Sequence, residues 1–190
     1  MNNIKNIKNK FNKAIISFQN ISNCSNDLNK AINLSVKALK NKKKIIFCGN
    51  GGSAADSQHL TAELVGKFLK NRKAISAISL TTNTSTITSI GNDLSFDKIF
   101  SRQLEAIAKK GDVLFAITTS GQSKNILNAI EYACKNEIVV ILLTSTKFKK
   151  KLKKIIQIQA PAERVDRIQE MHICIGHLYC EEIENRLFKN

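Results

Sequence analysis

The amino-acid sequence predicts a three-layer α/β sandwich: a five-stranded parallel sheet flanked by helices, with N-terminal helices and a long C-terminal helix. Three observations carry this. Five short runs, 45–48, 74–80, 113–118, 138–144 and 155–159, are rich in β-branched residues and mostly apolar throughout, as strands buried on both faces of a parallel sheet are. Helical stretches alternate with them, which calls for right-handed crossovers. Three loops at strand ends, 49–53, 81–86 and 118–123, are rich in small or hydroxylated residues, and ligands bind such sheets outside the carboxyl ends of the strands.

Two amphipathic segments, 4–19 and 28–39, open the chain; in the second, Leu28, Ala31, Ile32, Ser35 and Leu39 keep a helical period. The strand 45–48 runs into Gly49, Gly51 and Gly52 and then a helix over 53–70, with Ser53 as its N-cap. A helix over 96–109 follows the strand 74–80. The strand 113–118 feeds a hydroxyl-rich loop and a helix over 123–135 capped by Ser123. The last helix covers 161–187, with the single proline, Pro161, at its start, where a missing N–H costs nothing. No repeat, linker or hinge composition interrupts the chain, so residues 1–190 read as one domain.

Composition narrows the function. The 190 residues are 43% hydrophobic, enough for a real core. No apolar run approaches the roughly 20 residues that span a bilayer, and the first eight residues are too polar for a secretory signal. No membrane partner and a cytoplasmic location are therefore expected. Five cysteines without Cys-x-x-Cys spacing fit buried free thiols in a reducing compartment. The formal net charge is +15, but the lysines fall in three separate places, and aromatics are 6% without tryptophan. That pattern reads as solvated lysines with no nucleic-acid partner, leaving a weak pull on anionic substrates.

Residues 45–63 hold the densest chemistry. Backbone N–H groups of the glycine-rich turn and the positive end of the following helix converge on one point, which suits an anionic group. Further along, His59 and Glu63 stand at i and i+4 and share a face, with Glu63 expected about one turn beyond the cradle. A second cradle reads Thr118-Thr119-Ser120-Gly121-Gln122-Ser123, with four hydroxyls in six positions. Neither cradle fits a nucleotide P-loop or a dinucleotide fingerprint, and a sugar phosphate held by hydroxyls and amides is favoured.

On the last helix, Asp166 and His177 fall within about 20° of each other and Gln169 about 60° to one side. His172 projects away from that flank and reads as structural or surface. His59, Glu63, Gln169 and His177 offer two imidazoles, a carboxylate and an amide oxygen, plausible ligands for a divalent metal such as zinc. Glu63 and His177 are equally an acid/base pair for a carbonyl substrate. Spacing leaves both open, and they are compatible.

The chain resembles the sugar isomerase (SIS) domain family, and within it the branch acting on seven-carbon sugar phosphates. The carrying pieces are Cys-Gly-Asn-Gly-Gly-Ser-Ala-Ala-Asp-Ser-Gln-His (48–59), Glu63, Gly-Asn-Asp (91–93), Phe-Ser-Arg-Gln (100–103), Gly-Asp-Val-Leu (111–114), Thr-Ser-Gly-Gln-Ser (119–123) and Arg-Ile-Gln-Glu-Met-His (167–172), in the family's order. The resemblance implies a flavodoxin-like fold. It also implies reversible isomerisation of sedoheptulose 7-phosphate to glycero-manno-heptose 7-phosphate, feeding heptose synthesis for lipopolysaccharide or other surface glycans.

Position by position, it implies substrate contacts from Asn50, Gly51, Gly52, Ser53, Glu63, Asn92, Asp93, Thr118, Thr119, Ser120, Ser123, Asp166 and Gln169, with the hydroxyl loop on the phosphate. It implies one zinc per subunit on His59, Glu63, Gln169 and His177, with Glu63 as the carbon base and His177 handling the hydroxyl protons. A homotetramer with sites completed by neighbouring subunits is implied as well, residues 1–41 packing on the core and the interface. The sequence departs at Gln122 and Thr118, where the family often has Asn and Ser, and around 147–154, which lacks an expected glycine-rich turn. A sister group of the same fold binds a replication initiator without catalysis; it typically lacks the positions filled here by Glu63 and His177.

Overall fold

Apolar residues at consecutive positions force burial on both sides of the sheet. In the computed structural model, which describes residues 2–188, β1 (Ile45–Gly49) and β3 (Val113–Ile117) are buried at every position. In β4 (Val139–Ser145) only the first residue is not. With β2 (Ala77–Ser79) and β5 (Ile156–Ala160) they form one parallel sheet in the order β2-β1-β3-β4-β5, with Ile45 opposite Val113 and Val113 opposite Val139.

Alternation along each strand divides the core in two. Ile45, Phe47, Phe115, Ile141 and Ile158 pack with α2 (Ser25–Lys40), α3 (Gly52–Val65) and α7 (Val165–Leu187). Ile46, Leu114, Ala116 and Leu142 face α5 (Ser101–Ile107) and α6 (Lys124–Lys135). The first helix, α1 (Asn2–Phe18), touches α7 and packs Phe18 against the core, but Ile4, Ile7, Phe11 and Ile15 are all exposed.

Several element boundaries differ from the sequence expectation. The second strand is three residues long instead of seven, because it lies at the sheet edge and only 77–79 pair with β1. The helix expected over 53–70 ends at Val65, where the chain turns away at Gly66. Ser53 does not cap it; Gly51 holds the N-cap position and Ser53 is buried in the first turn.

Residues 84–93 form α4 (Thr84–Asp93), missed because Thr, Ser and Gly are weak helix formers. Its start is fixed by Asn83, whose side chain accepts from the Thr86 N–H at 3.0 Å. The helix expected over 96–109 splits into a 3-10 turn at Phe96–Lys98 and α5, the turn capped by Ser95. The last helix begins at Val165, not Pro161.

All five cysteines are free, but only Cys24, Cys48 and Cys180 are buried. Cys134 is exposed because it falls off the buried stripe Asn125, Ile126, Ala129, Ile130, Ala133 of α6, and Cys174 is half-buried. No helix among the described residues is long and apolar enough to cross a membrane.

Candidate active site

The close crossing of α3 and α7 builds the central cluster. Gly176 lies so near Leu60 that a Cβ there would press into the leucine side chain, and the Cys180 thiol points at the Leu60 carbonyl, 3.8 Å away. That approach brings His177 onto His59, with the two Nε2 atoms 3.0 Å apart. One turn along α3, Glu63 Oε1 sits 3.1 Å from His59 Nε2. The three ligand-type atoms all lie within 4.8 Å of one another. Phe68 stacks on the His177 ring at 5.8 Å and 19°. Two imidazole nitrogens and a carboxylate oxygen converging this way suit a divalent cation with an open position, or a relay of protons.

Nearby, Asp56 has an oxygen, Oδ2, that is buried without a partner. Burial pushes its carboxyl up to about 6, against the opposing pull of His59. His172 is fully buried and its Nε2–H donates to the Thr144 carbonyl at 3.0 Å. Burial holds that imidazole down to about 4, with the Thr144 bond opposing. His172 is therefore a core histidine, which decides between the structural and surface roles its helical phase left open.

The two loops meet at the carboxyl edge of the sheet. Asn50 Nδ2 donates to Asn125 Oδ1 at 2.9 Å and Asn125 Nδ2 returns the bond to Asn50 Oδ1 at 3.0 Å. This reciprocal pair ties the glycine turn to the first turn of α6. In the hydroxyl loop, Thr118 Oγ1 accepts from the Gly121 N–H at 3.2 Å and Ser120 Oγ accepts from the Gln122 N–H at 3.1 Å. Both hydroxyls keep their own proton for a ligand.

Gly121 has φ 68° and lies under the Phe148 ring, where any side chain would collide. The Thr119 carbonyl accepts from Ser145 Oγ at 2.9 Å. Ser123 holds the N-cap position of α6 without a side-chain cap bond, so the first N–H groups of that helix remain open to an anion.

The remaining sequence-predicted residues lie elsewhere. Gln169 packs against Gly52, where a Cβ would run into its amide. It stands eight residues before His177 on α7, about 12 Å of helix rise, so it joins the glycine turn and not the histidine cluster. Glu63 is about three turns beyond Gly52, not one, because α3 runs away from the carboxyl edge. Asn92 and Asp93 end α4, exposed and bonded to each other at 2.8 Å. Asp166 is held by Arg164 at 2.6 Å and Arg167 at 3.5 Å.

Sequence reasoning missed Asn125, although a polar residue inside the buried stripe of α6 was a readable sign of it. It also missed Phe68, because the expected helix over 53–70 places it inside a helix that in fact ends at Val65.

The sequence model of the SIS domain matches residues 11–145. The chain is 50% identical over 153 residues to the phosphoheptose isomerase of a Nitratiruptor species, covering 80% of this chain and 81% of that one. It is 43% identical over 186 residues to that of Helicobacter hepaticus, covering 97% and 94%. The solved phosphoheptose isomerase of Francisella tularensis superposes with a TM-score of 0.90 at 34% identity, covering 97% of this chain and 100% of that one. Sequence, sheet order and helix placement agree, and the chain belongs to the SIS domain family, on its phosphoheptose isomerase branch.

Proposed function

We propose that this isomerase converts D-sedoheptulose 7-phosphate to D-glycero-D-manno-heptose 7-phosphate by proton transfer through an enediol, supplying activated heptose for a surface glycan. The observation that carries the chemistry is the placement of Glu63 between partners: a carboxylate beside two imidazoles, on a helix whose opposite end is an anion cradle. Ketose-to-aldose conversion moves a proton from C1 to C2 and hydroxyl protons from O1 to O2. Glu63 takes the carbon-bound proton and returns it; His177 exchanges the oxygen protons. Thr118, Thr119, Ser120 and Ser123 hold the phosphate, and Asn50, Gly51, Gly52 and Ser53 line the sugar with Gln169. Asn92, Asp93 and Asp166 complete the substrate contacts.

The donors of His59, Glu63 and His177 fit zinc in number and type, and Gln169, about 12 Å of helix rise away within one chain, would add its amide oxygen only across a subunit boundary. Zinc on them would polarise the substrate oxygens and stabilise the negative charge of an enediolate. The separation of about three helical turns between Gly52 and Glu63 favours a site shared between subunits of a homotetramer, each chain one domain in a cytoplasmic enzyme. The exposed apolar stripe Ile4, Ile7, Phe11 and Ile15 of α1 is the surface for that assembly.

The test is to incubate the purified protein with sedoheptulose 7-phosphate and follow the aldose by NMR, before and after a chelator. Aldose formation supports the reading. No conversion by the zinc-loaded protein overturns it.

A further inference from the structure

The last carbonyls of a helix lack partners within it. At the end of α3 one side chain meets several of the carbonyls there: Arg72 Nη2 donates to the Glu63 carbonyl at 2.7 Å, and Nη1 to those of Leu64 at 2.8 Å, which the Ile75 N–H also reaches, and of Gly66, just past the helix, at 3.0 Å. Its Nε donates to Glu184 Oε1 at 2.8 Å, while Glu184 Oε2 accepts the N–H groups of Leu69 at 3.1 Å and Lys70 at 3.0 Å. Both side chains are nearly sealed from water, 2% and 1% exposed. Only a guanidinium presents enough donors in a rigid fork for a carboxylate and several carbonyls at once.

The geometry ties this pair to the cluster. Glu184 lies seven residues, about two turns, beyond His177 and on the same side of α7. The segment it grips through Leu69 and Lys70 begins with Phe68, whose ring backs His177. Arg72 in turn bonds the backbone of Glu63 itself. A buried ion pair is weak evidence for stability, since apolar side chains of equal volume often serve as well. Placement of neighbouring groups is the more specific consequence of this one.

Resting on the isomerase reading above, we propose that Arg72 and Glu184 are positioning residues of the reaction: together they hold the end of α3 that carries Glu63, and the segment that presses Phe68 on His177, in one register against α7. Misplacing a reacting group by about 1 Å can cost about 10²-fold in rate.

The test compares Arg72→Lys, which keeps the charge and loses the fork, with the double variant Arg72→Met/Glu184→Leu, which removes both charges and guards against a misfolded single variant. Each is first shown to melt cooperatively. In both, kcat for sedoheptulose 7-phosphate is expected to fall about 10- to 100-fold, while KM stays within about threefold because the hydroxyl loop is untouched. The His177 imidazole proton resonances, shifted by the Phe68 ring, are expected to move toward their positions in Phe68→Leu. Wild-type kcat in either folded variant, or unmoved His177 resonances, overturns the proposal. Should the unsubstituted enzyme fail to isomerise the substrate, the isomerase reading fails, and the His177 resonances alone decide for or against positioning by the pair.

Discussion

The Nε2 atoms of His59 and His177 stand 3.0 Å apart although 118 positions separate them in the chain. Both nitrogens, with the Glu63 carboxylate, would hold a cation, and ligand nitrogens must be free of protons, so metal binding is expected to weaken as pH falls. His177→Ala is expected to lower zinc affinity by about tenfold or more, by loss of a ligand from a small set. Competitive titration with a chromophoric chelator measures it, and the wild-type titration should release protons.

Glu63 lies on α3 beside His59, with its side chain 21% exposed. Glu63→Gln keeps the shape and removes the proposed base. Turnover is expected to drop by about 10² or more with substrate binding retained. Single-turnover NMR and calorimetric titration with the sugar phosphate separate the two effects; near-normal turnover would remove Glu63 from the base role.

Asn125 is buried, and its amide exchanges two hydrogen bonds with Asn50. Asn125→Ala leaves the Asn50 amide unpaired, at a cost of about 1–3 kcal/mol. Because the pair joins the two loops proposed to hold the substrate, KM is expected to rise about tenfold, with a smaller change in kcat. Urea unfolding and initial-rate kinetics check the two halves of this statement.

His172 is held down to about 4 by burial, below the 6.5 of a free imidazole. Between these values the unfolded chain binds a proton that the folded chain does not, so stability rises with pH across the window and is lost as pH falls through it. The term is about 3 kcal/mol. Asp56, pushed up to about 6, acts in the opposite sense, since its folded state binds the extra proton. His172→Gln is expected to flatten the acid limb of a stability–pH curve from urea melts; an unchanged limb would remove His172 as its source.

Phe11 is 66% exposed on α1, in line with Ile4, Ile7 and Ile15. Phe11→Glu is expected to convert the proposed tetramer to smaller species in light scattering at micromolar concentration, because burying that carboxylate is unfavourable. A tetramer with the mass unchanged would place the interface elsewhere.

Local chemistry was legible wherever a residue's neighbours in sequence are also its neighbours in space. β1, β3 and β4 announce themselves because burial on both faces marks every position but the first of β4, and His59 with Glu63 is a one-turn relation. Residues 84–93 were not legible as a helix, because their hydroxyl-rich composition favours turns and only the Asn83 cap and packing offset it.

Residue pattern alone accounts for the layered α/β fold, the two loops at its carboxyl edge, and His59, Glu63 and His177 of the cluster, to which it also added Gln169. The tertiary structure decided which of them meet. It put His177 on His59 and Gln169 on Gly52, and it joined Asn50 to Asn125 and Arg72 to Glu184. Three of those pairings follow from how closely α3 and α7 cross and where the chain leaves α3, and Asn50–Asn125 follows from the adjacency of β1 and β3 in the sheet. All are set by packing between distant segments, and no local periodicity encodes them.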